Sequence, residues 1–168
     1  MNLLISDTCI LIDLYNGNLL DKIRQFPYKL GIPDAILSDA FSDEIELREP
    51  GAEEILSAGF EIYSLESEEI LEVYRLNGVY SHPSVIDIFG LVLAKKHEAI
   101  LLTGDKKLRE AAKSEGVNFK GILWILDELI EHSIINKEAA SSSLQQILKK
   151  GAFLPKTECL KRFEQWKL

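Results

Sequence analysis

The stretch PSVIDIFGLVLAKK, residues 83–96, is apolar in every direction a helix can face, except at Asp87. A helix of that kind belongs inside a protein rather than on its surface. A carboxylate carried in with it costs several kcal/mol unless it finds a partner or takes up a proton. Asp87 is therefore a paired core residue, a residue at a small exposed edge, or a group meant for something positively charged.

The remainder of the chain alternates short apolar runs with helical patterns. NLLIS (2–6), YKLGI (28–32), GFEIYSL (59–65), EAILLT (98–103) and VNF (117–119) read as strands. Between them, TCILIDLYNG ends a helix on Gly17, a helix is expected from Pro33 onward, and SEEILEVYRLNG, DKKLREAAKSEG and ILWILDELIEH have helical periodicity. Strands of four to six residues spaced by helices predict a three-layer α/β/α fold, with a mostly parallel sheet of about five strands. Residues 136–168 are expected to be helical with a break at Gly151–Pro155. The pattern contains no repeat or linker, so residues 1–168 are expected to form one domain, a core of about 1–135 and a C-terminal helical extension of about 136–168.

With 46% hydrophobic and 27% charged residues, the composition is that of an ordinary globular protein. The start MNLLISD lacks a basic leader, and no apolar run approaches the ~18–20 residues of a membrane helix, so the cytoplasm is the expected compartment and no membrane partner is expected. Cys9 and Cys159 are far apart and are expected to be free thiols. The net charge of −8 argues against bulk electrostatic capture of nucleic acid. Its distribution is uneven: residues 1–105 hold 7 Lys/Arg against 19 Asp/Glu, and residues 106–168 hold 12 against 8.

Ligands of open α/β sheets bind at the carboxyl ends of strands. Asp7 follows the first strand directly and Asp105 follows the fourth, although an aspartate in front of a helix is also a good N-cap. The helix carrying Asp87 directly precedes the fourth strand, so it can be aimed at the same edge. Three converging carboxylates do not all stay ionised without a cation. Oxygen-only ligation suits Mg²⁺ or Mn²⁺. Thr103 and Gly104 lie beside this place, whereas His82, His97 and His132 lack metal-ligand spacing and read as surface or helix-end residues.

In SDTCILIDL, SVIDIFGLVLAKK and LLTGDKKLREAAKSEGVNFKGILWILDELI, taken in order and at this spacing, the chain resembles the PIN domain, a metal-dependent ribonuclease fold common among toxins of prokaryotic toxin–antitoxin pairs. The tail GAFLPKTECLKRFEQWKL resembles a subgroup with extra C-terminal helices. The resemblance implies an endoribonuclease that hydrolyses RNA phosphodiesters, with Asp7, Asp87 and Asp105 holding Mg²⁺ or Mn²⁺. It implies RNA as substrate, a small antitoxin protein as partner and a homodimer. Thr8, Ser84 and Thr103 are candidate donors behind the ligands. Lys106, Lys107 and Arg109 are candidates to guide the RNA backbone, or else a solvated helix face.

One position departs from the pattern. Where the family usually places a glutamate early in the helix after the second strand, IPDAILSD has Asp39, one methylene shorter, with Asp43 and Glu44 following. Asp39 is the preferred fourth catalytic acid and Glu44 the next candidate. All three begin an acidic stretch in which Asp39 to Glu72 holds twelve acids against Arg48 alone. A weakened fourth acid opens the alternative of a catalytically weak or inactive binding or regulatory module. If Asp87 is crowded by Asp7 and Asp105, Asp87→Asn is expected to leave the metal-free protein at least as stable as the parent.

Overall fold

The computed structural model describes residues 2–37 and 49–167. Five strands form one sheet: β1 (Leu3–Ser6), β2 (Lys29–Pro33), β3 (Phe60–Tyr63), β4 (Ile100–Leu102) and β5 (Phe119–Lys120). Their order is β3-β2-β1-β4-β5 and every pairing is parallel. The described helices are α1 (Thr8–Asn16), α2 (Leu20–Ile23), α3 (Ala52–Ser57), α4 (Ser67–Val79), α5 (Val85–Lys96), α6 (Lys106–Ser114), α7 (Ile122–Glu131), α8 (Lys137–Lys149) and α9 (Lys156–Gln165).

The strand order fixes the layers. The chain winds outward from β1 to β3 and then crosses back to β4 and β5, which puts the two sets of helices on opposite faces. Side chains alternate along each strand. Leu4 and Leu102 join a core with α1, α7 and α8, while their neighbours Ile5 and Leu101 join a second core with α4, α5 and α6.

The apolar helix of the sequence is α5. It packs on β1, β2 and β4 and is covered in turn by α4 and α6, so Ile86 and the run from Ile88 to Ala94 are all buried. Cover from both sides is why an all-round apolar pattern is stable there. Leu91 is wholly buried. Leu91→Ala should therefore cost about 2–5 kcal/mol of unfolding free energy, read from urea melts, because a cavity opens under the sheet. A loss near zero would mean that α5 is not the centre of this core.

The tail is bound to the body of the fold. Ala140, Leu144, Ile147, Cys159 and Trp166 share the core of α1 and α7. The buried Ser143 hydroxyl donates to Gly17 O at 2.8 Å, where α1 ends. Arg162 of α9 grips Asp127 of α7 through Nε and Nη2, the latter at 2.7 Å. The break expected at Gly151–Pro155 separates α8 from α9, with Gly151 at φ 99°.

Three local features refine the expected elements. After Pro33 the described chain forms a 3₁₀ turn, Asp34–Leu37, and the rest of the helix expected there lies outside the described residues. The fifth strand begins at Phe119, because Val117 is used to close α6, its N–H donating to Ala112 O at 2.8 Å. The acidic stretch contains α3, where Ile55 is buried and Glu54 accepts the Gly51 N–H at 3.4 Å. Both cysteines are free. Among the described residues no helix is long and apolar enough to cross a membrane.

Candidate active site

The sheet reverses its winding between β1 and β4, and Asp7 and Asp105 follow those two neighbouring strands. The Asp7 N–H donates to Leu102 O at 3.0 Å, which extends the β1–β4 ladder by one step and places Asp7 beside Thr103. Parallel strands then hand over to helices at the same edge. Asp7 caps α1, its Oδ1 accepting the Ile10 N–H at 2.8 Å. Asp105 caps α6, its Oδ1 accepting the Leu108 N–H at 2.7 Å. Both residues thus do the capping work that their positions permit, and each spends one carboxylate oxygen on it.

The other oxygen of Asp7 is the anomaly. Asp7 is only 4% exposed, and its Oδ2 is buried without a hydrogen bond of good geometry, although the Thr103 hydroxyl interacts with the carboxyl. Burial pushes its pKa up to about 7; the Thr103 hydroxyl and the Ile10 N–H oppose the rise, and the charges of Asp87 and Asp13 add to it. A buried acceptor left unsatisfied is uncommon and costly, so such a group calls for a physical explanation. Thr103, itself wholly buried, also accepts the Asp105 N–H on Oγ1 at 3.0 Å, which makes it a brace between the two acids.

Asp87 sits in the first turn of α5, half-buried, in a reciprocal cap with Ser84. Its Oδ2 accepts the Ser84 N–H at 3.0 Å, while the Ser84 hydroxyl accepts the Asp87 N–H at 3.1 Å. Here a negative charge is favoured by the helix N-terminus. The carboxylate whose burial is plain is Asp7, and the charge of Asp87 adds to the cost of ionising it, so a stability gain on neutralisation is expected at Asp7 as well.

The acids act together at Cys9. Cys9 is an exposed residue, yet partial desolvation of its thiol, followed by the charges of Asp7, Asp87, Asp13 and Asp105, pushes it up to about 12. Asp13 has no place among the candidates read from sequence, yet it is half-buried, its pKa raised by burial to about 6, and its charge reaches Asp7. The signal for it was present: Asp13 follows Cys9 by four residues, so both occupy one face of α1. Thr8 is half-buried at the first position of the same helix.

Arg109 supplies a fixed positive charge within electrostatic reach of Asp7. Its Nε donates to Thr103 O at 2.9 Å, its guanidinium lies 5.4 Å from the Phe119 ring centroid, and Asp7's charge opposes the lowering of its pKa by burial. Gly121 makes this possible, since a Cβ there would collide with the Arg109 guanidinium. Lys107 is exposed and pairs with Glu110 at 3.5 Å, whereas Lys106 is exposed without an ion pair among the described residues. Asp39, Asp43 and Glu44 lie outside the described residues.

The acids meet the chemistry of a divalent metal only in part. Their donors are hard oxygens, and the orphaned Asp7 Oδ2 suits a hard cation. Among the described residues, however, no three carboxylate, thiol or imidazole groups stand where they could hold one ion together.

No curated protein matches the chain. A family model described as a PIN domain matches residues 3–167. PIN domains are in general nucleases that use divalent metals. From the five-stranded parallel sheet, the match over almost its whole length and the acids at its switch point, the chain belongs to the PIN domain family.

Proposed function

We propose that this edge hydrolyses RNA phosphodiesters with Mg²⁺ or Mn²⁺, the ion anchored at Asp7, with Asp87, Asp105 and Asp39 drawn onto it only as it binds, since the described acids do not stand as a ready-made ligand set. The observation that carries the proposal is the buried, unpartnered Oδ2 of Asp7 at the β1–β4 switch point. A bound divalent ion supplies Lewis acidity, lowering the pKa of water and neutralising charge that grows on the phosphate. Asp7 offers a buried oxygen that makes no good hydrogen bond, and Asp105 keeps an oxygen beyond the one its cap uses. Thr103, Ser84 and Thr8 orient these acids, and Arg109 holds positive charge beside them without occupying the edge. Lys106 and Lys107 stand at the start of α6, where an RNA backbone leaving Asp105 would pass.

A second reading, an inactive PIN-like binding module, is favoured by the open ligand set among the described residues. One assay separates the two. The full chain with a fluorogenic single-stranded RNA should cleave only when Mn²⁺ or Mg²⁺ is present, and EDTA should abolish the signal. Cleavage that persists in EDTA, or no cleavage at any metal concentration, overturns the nuclease reading. The strongly acidic balance of residues 1–105 supports a basic antitoxin segment as the partner. If expression leaves growth of the host unaffected and no small protein copurifies, the toxin role falls, while the nuclease reading stands or falls on the assay in vitro.

A further inference from the structure

The basic half of the chain gathers beside the acidic edge. A groove of about 840 Å³ starts at Gly104 and Asp105, passes the N-terminus of α7 and ends at the α8–α9 connection. Its lining carries five cationic side chains against two carboxylates. Two of the cations are committed to the protein: Arg109 to Thr103 O, and Arg162 to Asp127 and Glu158. The Arg162 contacts tie α9 to α7, so the walls are held in place before anything binds. Lys106, Lys120 and Lys156 remain, with no ion pair among the described residues.

The same groove presents aromatic faces. Phe153, in the connection between α8 and α9, is fully exposed, which is unusual for so large an apolar side chain in an ordered segment. Trp124 lies on the opposite element, α7, with the Lys120 ammonium 5.9 Å from its ring centroid. Trp124 is half-buried against Phe26 and Tyr28, so Phe153 is the open ring of the groove and Trp124 offers only its exposed part. Point cations beside aromatic rings are what an unpaired nucleic acid strand uses, phosphates on the cations and bases on the rings. A duplex keeps its bases stacked on each other and cannot use the rings.

We infer that this groove binds single-stranded RNA next to the cleavage position, with Phe153 and Trp124 stacking bases and Lys106, Lys120 and Lys156 meeting phosphates. The inference rests on the RNA-cleavage reading, and it assigns the C-terminal helices a role: they build the outer wall of the substrate path. It also explains how a chain of net −8 admits a polyanion, since the attraction is local.

The test uses the full chain in EDTA, so that nothing is cut, and a fluorescein-labelled single-stranded RNA of about a dozen nucleotides, a length that spans one such groove. Phe153→Ala removes only an exposed ring and should weaken binding roughly 5- to 100-fold, the range for one stacked base. A Lys120→Ala, Lys156→Ala double variant should flatten the dependence of log K on log salt by about 1.4, two phosphate contacts' worth. The Trp124 fluorescence should be quenched by RNA in the parent. Hydrolysis of bis(4-nitrophenyl) phosphate with Mn²⁺, which needs no groove, should be unchanged in both variants. RNA affinity and salt slope unchanged in both variants overturn the groove and leave the cleavage reading intact. An acidic amphipathic peptide that loses binding in both variants while RNA does not would reassign the groove to a protein partner. RNA bound in the groove with no diester hydrolysis by the parent would keep the groove and overturn the cleavage reading.

Discussion

Asp7→Asn should raise the melting temperature of the metal-free protein near neutral to mildly alkaline pH and abolish hydrolysis. The sign follows from the direction of the shift. Asp7's pKa rises from 3.8 in a free side chain to about 7 in the fold. Below the lower value both states are protonated and the group carries no penalty. As pH rises towards 7 the unfolded chain releases its proton first, and the fold loses stability until the folded group has ionised as well. The difference of about three units corresponds to a ceiling of about 4 kcal/mol. Asparagine removes the charge but puts an amide N–H where the orphan oxygen was, which returns about 1–3 kcal/mol if no acceptor is found. The expected net gain above pH 7 is therefore about 1–3 kcal/mol, vanishing or reversing near pH 4. With millimolar Mn²⁺ the order should invert, since the parent gains by mass action what the variant cannot. Melting curves at the two pH values, with EDTA and with Mn²⁺, read all of this. A variant less stable than the parent at every pH would make Asp7 a structural cap and nothing more.

Asp105→Asn separates capping from chemistry at the second acid. Asparagine caps a helix as well as aspartate does, and its Oδ1 can keep the Leu108 N–H bond now made at 2.7 Å. Stability should stay within about 0.5 kcal/mol of the parent, while RNA hydrolysis falls about a hundredfold or more, the scale of losing one charge aimed at the transition state. Asp105→Ala should do the opposite on the first count, costing about 1 kcal/mol through the lost cap. If Asp105→Asn keeps full activity, the residue serves only α6, and the metal must be held elsewhere. The pair of variants thus decides between the two jobs that one side chain performs at the end of a parallel strand.

Much of this protein is legible in its sequence because the signals are local. An all-round apolar α5, the apolar strand runs, and Gly151 at the end of α8 depend on periodicity and on backbone freedom within a few residues. They led to a parallel three-layer fold, and Asp7 and Asp105 follow from it because strand ends in such folds face one edge. Other features have no local signature. That Asp7 Oδ2 is orphaned, and that Asp87 is half-exposed and capping rather than buried, depends on which strands lie side by side and on how α5 enters the core. Asp13 has a local sign, its place four residues after Cys9 on one face of α1, but its charge joins the acidic edge only when α1 is laid on the sheet. The basic groove is the clearest case. Lys106, Lys120, Trp124, Phe153 and Lys156 span fifty residues and carry no motif, and only the packing of Cys159 and Trp166 into the core, with the clamp of Arg162 on Asp127, brings α9 alongside α7 to make them one surface. Local chemistry determines which elements form and what caps them; charge and ring faces from distant segments become a site only when packing sets them across a common space.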